Sequence, residues 1–136
     1  SFFAGPGRPG TSPASAAAIA AAVRAARRVS DVVVATFHWG VERSPGENDR
    51  QRMFAAAALH AGASAVIGAH PHVLQPIRRP GGRRLIAYSL GNFVWAAGSP
   101  QTTSSAILRV RLSGRGVEGS KLLRARIEGT RPRLLG

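Results

Sequence analysis

Two apolar runs that each end in histidine, with a helix-length segment between them, constrain this chain most strongly. Val32, Val33, Val34, Ala35, Thr36 and Phe37 form a β-branched run without polar alternation, the pattern of a strand buried on both faces. It leads directly into His38. Ala65, Val66 and Ile67 form a second such run, which passes through Gly68 and Ala69 into His70-Pro71-His72. Between the two, Trp39 to Asn48 carries Gly40, Pro45 and Gly46 and reads as a loop, and Asp49 to Ala61 reads as a helix stopped by Gly62. A strand, helix and strand in this order close as a right-handed parallel crossover. Both histidine groups then reach the carboxyl end of one sheet, where open α/β sheets place their ligands.

The flanking sequence extends this frame. Thr11 or Ser12 is expected to cap a helix with Pro13 in its first turn, running through the Ala-rich stretch to Arg28, with Arg24, Arg27 and Arg28 at the negative end of its dipole. Pro80-Gly81-Gly82 turns the chain into a strand from Arg84 to Ser89, and Gly91-Asn92 opens a loop. Ser105 to Leu112 and Lys121 to Ile127 alternate apolar and polar residues on either side of Gly114 to Gly119, as in an antiparallel hairpin near a sheet edge. The fold class is therefore α/β, a mixed β-sheet with flanking helices. At 136 residues the chain has the size of one domain or part of one. It opens on Ser1 and its only methionine is Met53, so residues 1–136 are expected to be a single partial domain with sequence missing upstream.

Composition narrows the chemistry. With no cysteine, disulfides, thiolate metal sites and thiol nucleophiles are excluded, and any metal must be held by nitrogen and oxygen. The Ala-rich run from Ala14 to Ala26 is interrupted by Arg24 and too short to span a bilayer; membrane anchoring is expected only through upstream sequence. The net charge of +13, with 19 Lys+Arg against 6 Asp+Glu, suits polyanions in general. The basic residues are scattered singly or in pairs along the sequence and no nucleic-acid-binding module accompanies them, so specific nucleic-acid binding is not expected.

The histidines carry the functional reading. Proline disfavours helical backbone in the residue before it, so Pro71 is expected to hold His70 extended and to turn the His70 and His72 imidazoles to one side. With His38 arriving from the neighbouring strand, three neutral nitrogen donors face one space, a set suited to zinc, iron or manganese. The alternative is three satisfied histidines, one in the core and two on a loop. His60, near the end of its helix, is read as a capping or surface residue.

Two divalent ions would also need anionic ligands, and the sequence offers few. Asp31 is about 23 Å from His38 along the strand at 3.3 Å per residue. Glu47 and Asp49 begin the next helix and suit its dipole. Glu42, four residues after His38, can orient an imidazole, approach a metal or move a proton, or be a solvated loop acid.

The run His38-Trp39-Gly40-Val41-Glu42, with Pro45 and Gln51, then Gly62-Ala63, Val66 through Pro76, and Tyr88-Ser89-Leu90-Gly91-Asn92-Phe93-Val94, closely resembles the CapA family of poly-γ-glutamate capsule-biosynthesis proteins, over roughly residues 31–95. That family is similar to the calcineurin-like metallophosphoesterases, so the resemblance implies part of a metallophosphatase-like αββα sandwich with two divalent metals. It makes His38 a ligand of one metal and His70 and His72 contacts to one metal each. Ala69 stands where the family commonly has a further histidine. The superfamily's earlier Asp, Asn and His motifs have no counterpart in residues 1–37, which implies that residues 1–136 alone are inactive or weakly active. Ser89 and Asn92 are read as loop-ordering or substrate-binding residues, as are Trp39 and Gly40 beside the strand end; for Trp39 a core role is the alternative.

The resemblance implies a metal-dependent phosphoesterase-type hydrolase of the cell envelope, with His38 and Glu42 in catalytic roles and an acidic polymer or phosphoester as substrate. Other capsule-synthesis proteins are the expected partners. The second reading is a non-catalytic envelope scaffold assisting polymer synthesis or export. A third, a single-metal three-histidine hydrolase contained within these residues, is set aside because the upstream part is indicated independently.

Overall fold

The computed structural model describes residues 4–12, 14–96 and 98–136. Its elements are α1 (Ala16–Arg27), β1 (Val34–His38), α2 (Asp49–His60), β2 (Ala65–Ala69), β3 (Ile77–Arg78), β4 (Leu85–Ala87), α3 (Pro100–Thr103), β5 (Ser104–Ser113), β6 (Gly116–Glu128) and β7 (Arg131–Leu134). The first four strands form one sheet in the order β1-β2-β4-β3, and β5-β6-β7 form another. In the first sheet β1, β2 and β4 run parallel and β3 antiparallel, the mixed sheet that the sequence implies. The β1–β2 register runs from Val34 opposite Ala65 to His38 opposite Ala69, so the two strands end level.

Burial explains the layering. One face of the mixed sheet packs through Val66 and Ile86 against Ile19 and Val23 of α1 and Phe54, Ala58 and Leu59 of α2. Its other face packs through Ala65, Ile67 and Leu85 against Val117, Leu108 and Val110 of the antiparallel sheet. The described residues thus stack as helices, mixed sheet and antiparallel sheet, an α/β sandwich. No described helix is long and apolar enough to cross a membrane.

Several boundaries differ from expectation. Helix α1 is capped by Ser15, whose Oγ accepts from the Ala18 amide at 3.1 Å, rather than by Thr11 or Ser12; Pro13 lies outside the described residues. The reason is local, because residues 4–11 fold on themselves: the Ala4 amide donates to the Thr11 carbonyl, and Gly5 bridges Arg8. Strand β1 begins two residues later than expected, takes in His38, and alternates exposed with half-buried residues instead of being buried on both faces, because it is an edge strand of its sheet. The turn between β5 and β6 is Gly114-Arg115 alone, since Val117 is buried and its amide donates to the Arg83 carbonyl; a register shift at Arg111/Leu112 absorbs the extra residue. This hairpin belongs to its own sheet and gains a third strand, β7. Arg131, Pro132 and Arg133 hid that strand from an alternation-based reading, although proline and charge are what an edge strand tolerates.

Helix α2 starts where expected because Asn48 and Gln51 form a capping box: Asn48 Oδ1 accepts from the Gln51 amide at 2.9 Å, and Gln51 Oε1 accepts from the Asn48 amide at 3.0 Å. His60 is the exposed last residue of that helix, the surface position expected of it.

Candidate metal centre

The level ends of β1 and β2 create the site. His38 is the exposed last residue of β1, and half-buried His70 and His72 follow β2. Two backbone hydrogen bonds hold the loop after β1 against the turn after β2: the Trp39 amide donates to the Ala69 carbonyl at 3.0 Å and the Arg43 amide to the Pro71 carbonyl at 2.7 Å. The extended His70 expected from Pro71 is not adopted. His70 has φ +105° and His72 φ +60°, a region that costs a non-glycine residue on the order of 1–3 kcal/mol. Pro71 is fully buried and its carbonyl engaged, so burying the proline ring, rather than local preference, sets the course of the turn.

The rings nevertheless come together. The His38 and His70 ring centroids are 4.7 Å apart, and those of His70 and His72 are 6.1 Å apart. The tightest donor set differs by one member from the three histidines: Glu42, His70 and His72 each offer a ligand atom, and these atoms lie within 4.8 Å of one another. His38 flanks that set beside His70.

Asn92 selects the tautomer of His72. Its amide nitrogen donates to the carbonyls of His72 and Thr102 at 3.4 and 3.2 Å, which turns its Oδ1 toward His72 Nδ1 at 2.7 Å. An amide oxygen only accepts, so Nδ1 carries a proton, and in the neutral ring Nε2 is then the nitrogen with the lone pair. This is how metal-binding imidazoles are commonly oriented. Asn92 is therefore more than loop-ordering, although it is that too: its own carbonyl accepts from Ser105 Oγ. Ser89 is buried and its Oγ accepts from the Gly91 amide at 3.2 Å, a loop-ordering role.

Trp39 covers core. Its indole stacks on Phe37 at 4.5 Å, and Nε1 donates to the Tyr88 carbonyl at 3.0 Å. Burial pushes the Tyr88 phenol above its ordinary pKa. Gly40 has φ +89°, and a Cβ there would lie 3.0 Å from the Gln51 amide group, so glycine is what lets the loop pass over α2. Sequence reasoning did not assign roles to Gln51 and Gln75, both buried. Gln51 Nε2 donates to Gln75 Oε1 at 2.9 Å, and Gln75 Nε2 donates to the carbonyls of Ser44 and Gly46 at 2.9 and 3.0 Å. That relay secures the loop bearing Glu42. The signal available was one amide, Gln75, within the apolar run Val73 to Ile77, whereas Gln51 stands between Arg50 and Arg52.

The other acids near these elements are engaged elsewhere. Glu47 pairs with Arg78 at 3.3 Å and Asp49 with Arg52 at 2.6 Å, while Asp31 lies with Arg27, Ser64 and Arg83 in a cleft remote from the histidines. A second groove, of about 1260 Å³, passes along β1 to His38, Gly40 and His70. Beside His72, the Trp95 ring, 54% exposed, has its centroid 5.3 Å from that of the imidazole.

A histidine-lined centre at the carboxyl ends of parallel strands, in an α/β sandwich, defines the class of protein. The particular family follows from sequence comparison: the profile described as "Bacterial capsule synthesis protein PGA_cap" matches residues 1–97, and the chain belongs to that family. It is 42% identical over 108 residues to the PGA biosynthesis protein CapA of Bacillus subtilis (strain 168), covering 79% of this chain and 28% of that protein. It is 40% identical over 89 residues to the capsule biosynthesis protein CapA of Bacillus anthracis, covering 64% of this chain and 21% of that protein. The chain thus spans about a quarter of the length of these curated relatives.

Proposed function

We propose that this chain contributes the histidine half of a divalent-metal centre that performs phosphoesterase-type hydrolysis in capsule biosynthesis at the cell envelope. The observation that carries the reading is the convergence of Glu42, His70 and His72 donor atoms within 4.8 Å, with the His72 tautomer set by Asn92. Nitrogen donors plus one carboxylate fit zinc, manganese or iron. His72 Nε2, an imidazole nitrogen of His70 and the Glu42 carboxylate would hold the ion, with His38 beside His70 as ligand or proton carrier. Such an ion supplies polarisation of a phosphoryl oxygen and a lowered pKa for bound water. The chain's own residues orient the imidazoles and pin the Glu42 loop. Because Glu42 is the one acid in the described donor set, the further carboxylates of a paired-metal centre would come from the part of the relatives' length that this chain does not cover. That same scarcity of acid favours the second reading, a metal-holding envelope scaffold without turnover.

Metal analysis and a phosphodiester hydrolysis assay on the intact protein separate these readings. His70→Ala is expected to lose metal and turnover together. Asn92→Ala is expected to weaken metal affinity by about 10–100-fold. Bound metal with no ester hydrolysed leaves the scaffold; no bound metal in the unaltered protein overturns both.

A further inference from the structure

The basic residues that look scattered in sequence are collected by the second sheet. Residues 104–134 hold eight of the chain's 19 Lys+Arg and two of its six acids. Both acids are neutralised internally: Glu118 by Arg83 and Arg115, and Glu128 by Arg133. The β5–β6 register sets Arg109 directly opposite Lys121, with Arg111 two residues along on the same face. Like charges facing each other across a ladder destabilise a sheet. Arg109, Arg111 and Lys121 are exposed and, among the described residues, form no ion pair.

Strand alternation separates these side chains from Leu108 and Val110, which pack toward the mixed sheet. Arg111 lies opposite Gly119, where a Cβ would come within 3.3 Å of its guanidinium, so the glycine leaves the arginine fork room to lie over the strand. The result is an outward cationic patch of Arg109, Arg111 and Lys121 on the β5–β6 ladder, lying outside the residues 1–97 that match the capsule family.

We infer that this face binds a linear polycarboxylate chain, an acidic polymer engaged apart from the histidine centre. An incoming row of carboxylates turns the like-charge repulsion into attraction, and guanidinium forks pair with carboxylates through two parallel hydrogen bonds. A nucleic acid fits less well. Single strands are held on aromatic platforms, and residues 104–134 contain no Phe, Trp or Tyr. Duplexes are read by elements that enter a groove, whereas β5 and β6 lie flat against the mixed sheet. The choice of a carboxylate polymer rests on the capsule-biosynthesis reading; the location of the face does not.

The test is binding of the intact protein to fluorescent poly-glutamate at about 0.1 M salt. Replacing Arg109, Arg111 and Lys121 together by Gln removes three exposed cations from the polymer's path; it is expected to lower affinity by about tenfold or more and to flatten the salt dependence. The charge-matched replacement of Arg24, Arg28 and Arg84 by Gln is expected to change it less than about twofold on the same grounds. Arg109→Lys with Arg111→Lys, which keeps the charge and the ladder but loses the forked pairing, should weaken binding less than the Gln variant while lowering it measurably, and covers the case in which the Gln variant folds poorly. His70→Ala should bind polymer as the unaltered protein does, so failure of the metal reading remains distinguishable. Equal losses in the two triple variants, displacement of the polymer by duplex DNA at equal charge concentration, or no binding at all would overturn the proposal.

Discussion

Gly68→Ala is expected to lower the melting temperature by about 10 °C or more, from a loss of about 3–5 kcal/mol in a domain of this size. A Cβ at this position would stand 2.1 Å from Trp39 Nε1 and 2.2 Å from the Tyr88 carbonyl oxygen. Neither neighbour can yield cheaply. One is backbone just beyond β4, and the other is a buried indole stacked between Phe37 and Tyr88. Separating them breaks a buried 3.0 Å hydrogen bond and leaves an indole N–H without its partner, a cost comparable to the overpacking itself. Gly68 also faces Phe37 across the β1–β2 ladder, so the distortion reaches the strand ends that carry the histidines. Thermal and urea denaturation measure this directly; a midpoint within a degree or two of the unaltered protein would mean that the Trp39–Tyr88 clamp is not what closes this end of the sheet.

Gln75→Leu is the second large effect, expected at about 3 kcal/mol, because several buried polar groups lose their partner in one substitution. The side chain is 6% exposed. Its Nε2 serves the Ser44 and Gly46 carbonyls, and its Oε1 receives the Gln51 amide. Leucine fills the volume and answers none of them. Urea denaturation gives the stability loss. Amide exchange should show faster opening of residues 41–47 while the β1–β2 ladder keeps its protection. Unchanged exchange in that loop would show that the glutamine relay is not what secures Glu42.

The difference between these residues and the histidines marks what the sequence made legible. Apolar runs ending in histidine are a local pattern with a topological consequence, so the parallel β1–β2 pair, the intervening helix and the approach of His38, His70 and His72 could be reasoned from the order of residues along the chain. Glu42 entered through its spacing from His38. The conformation at His70 could not be read, because a neighbour rule for proline is local whereas the burial of Pro71 and the Arg43 contact are tertiary. The Gln51–Gln75 relay spans 24 residues and has no periodicity to betray it. Asn92 was placed near the histidines, yet its control of the His72 tautomer needed the two carbonyls that orient the amide. β7 was missed because its sequence satisfies an edge and not an alternating pattern, and the like-charge pair of the second sheet exists only once register is known.

Asn92 has a consequence for how the two sheets work together. One residue binds the His72 ring and its carbonyl on one side and, through Thr102 and Ser105, the start of β5 on the other. The antiparallel sheet therefore cannot slide or tilt against the mixed sheet without stretching the bond that holds a proton on one particular nitrogen. The orientation of one imidazole and the seating of the far layer are thereby tied together over the length of a single side chain.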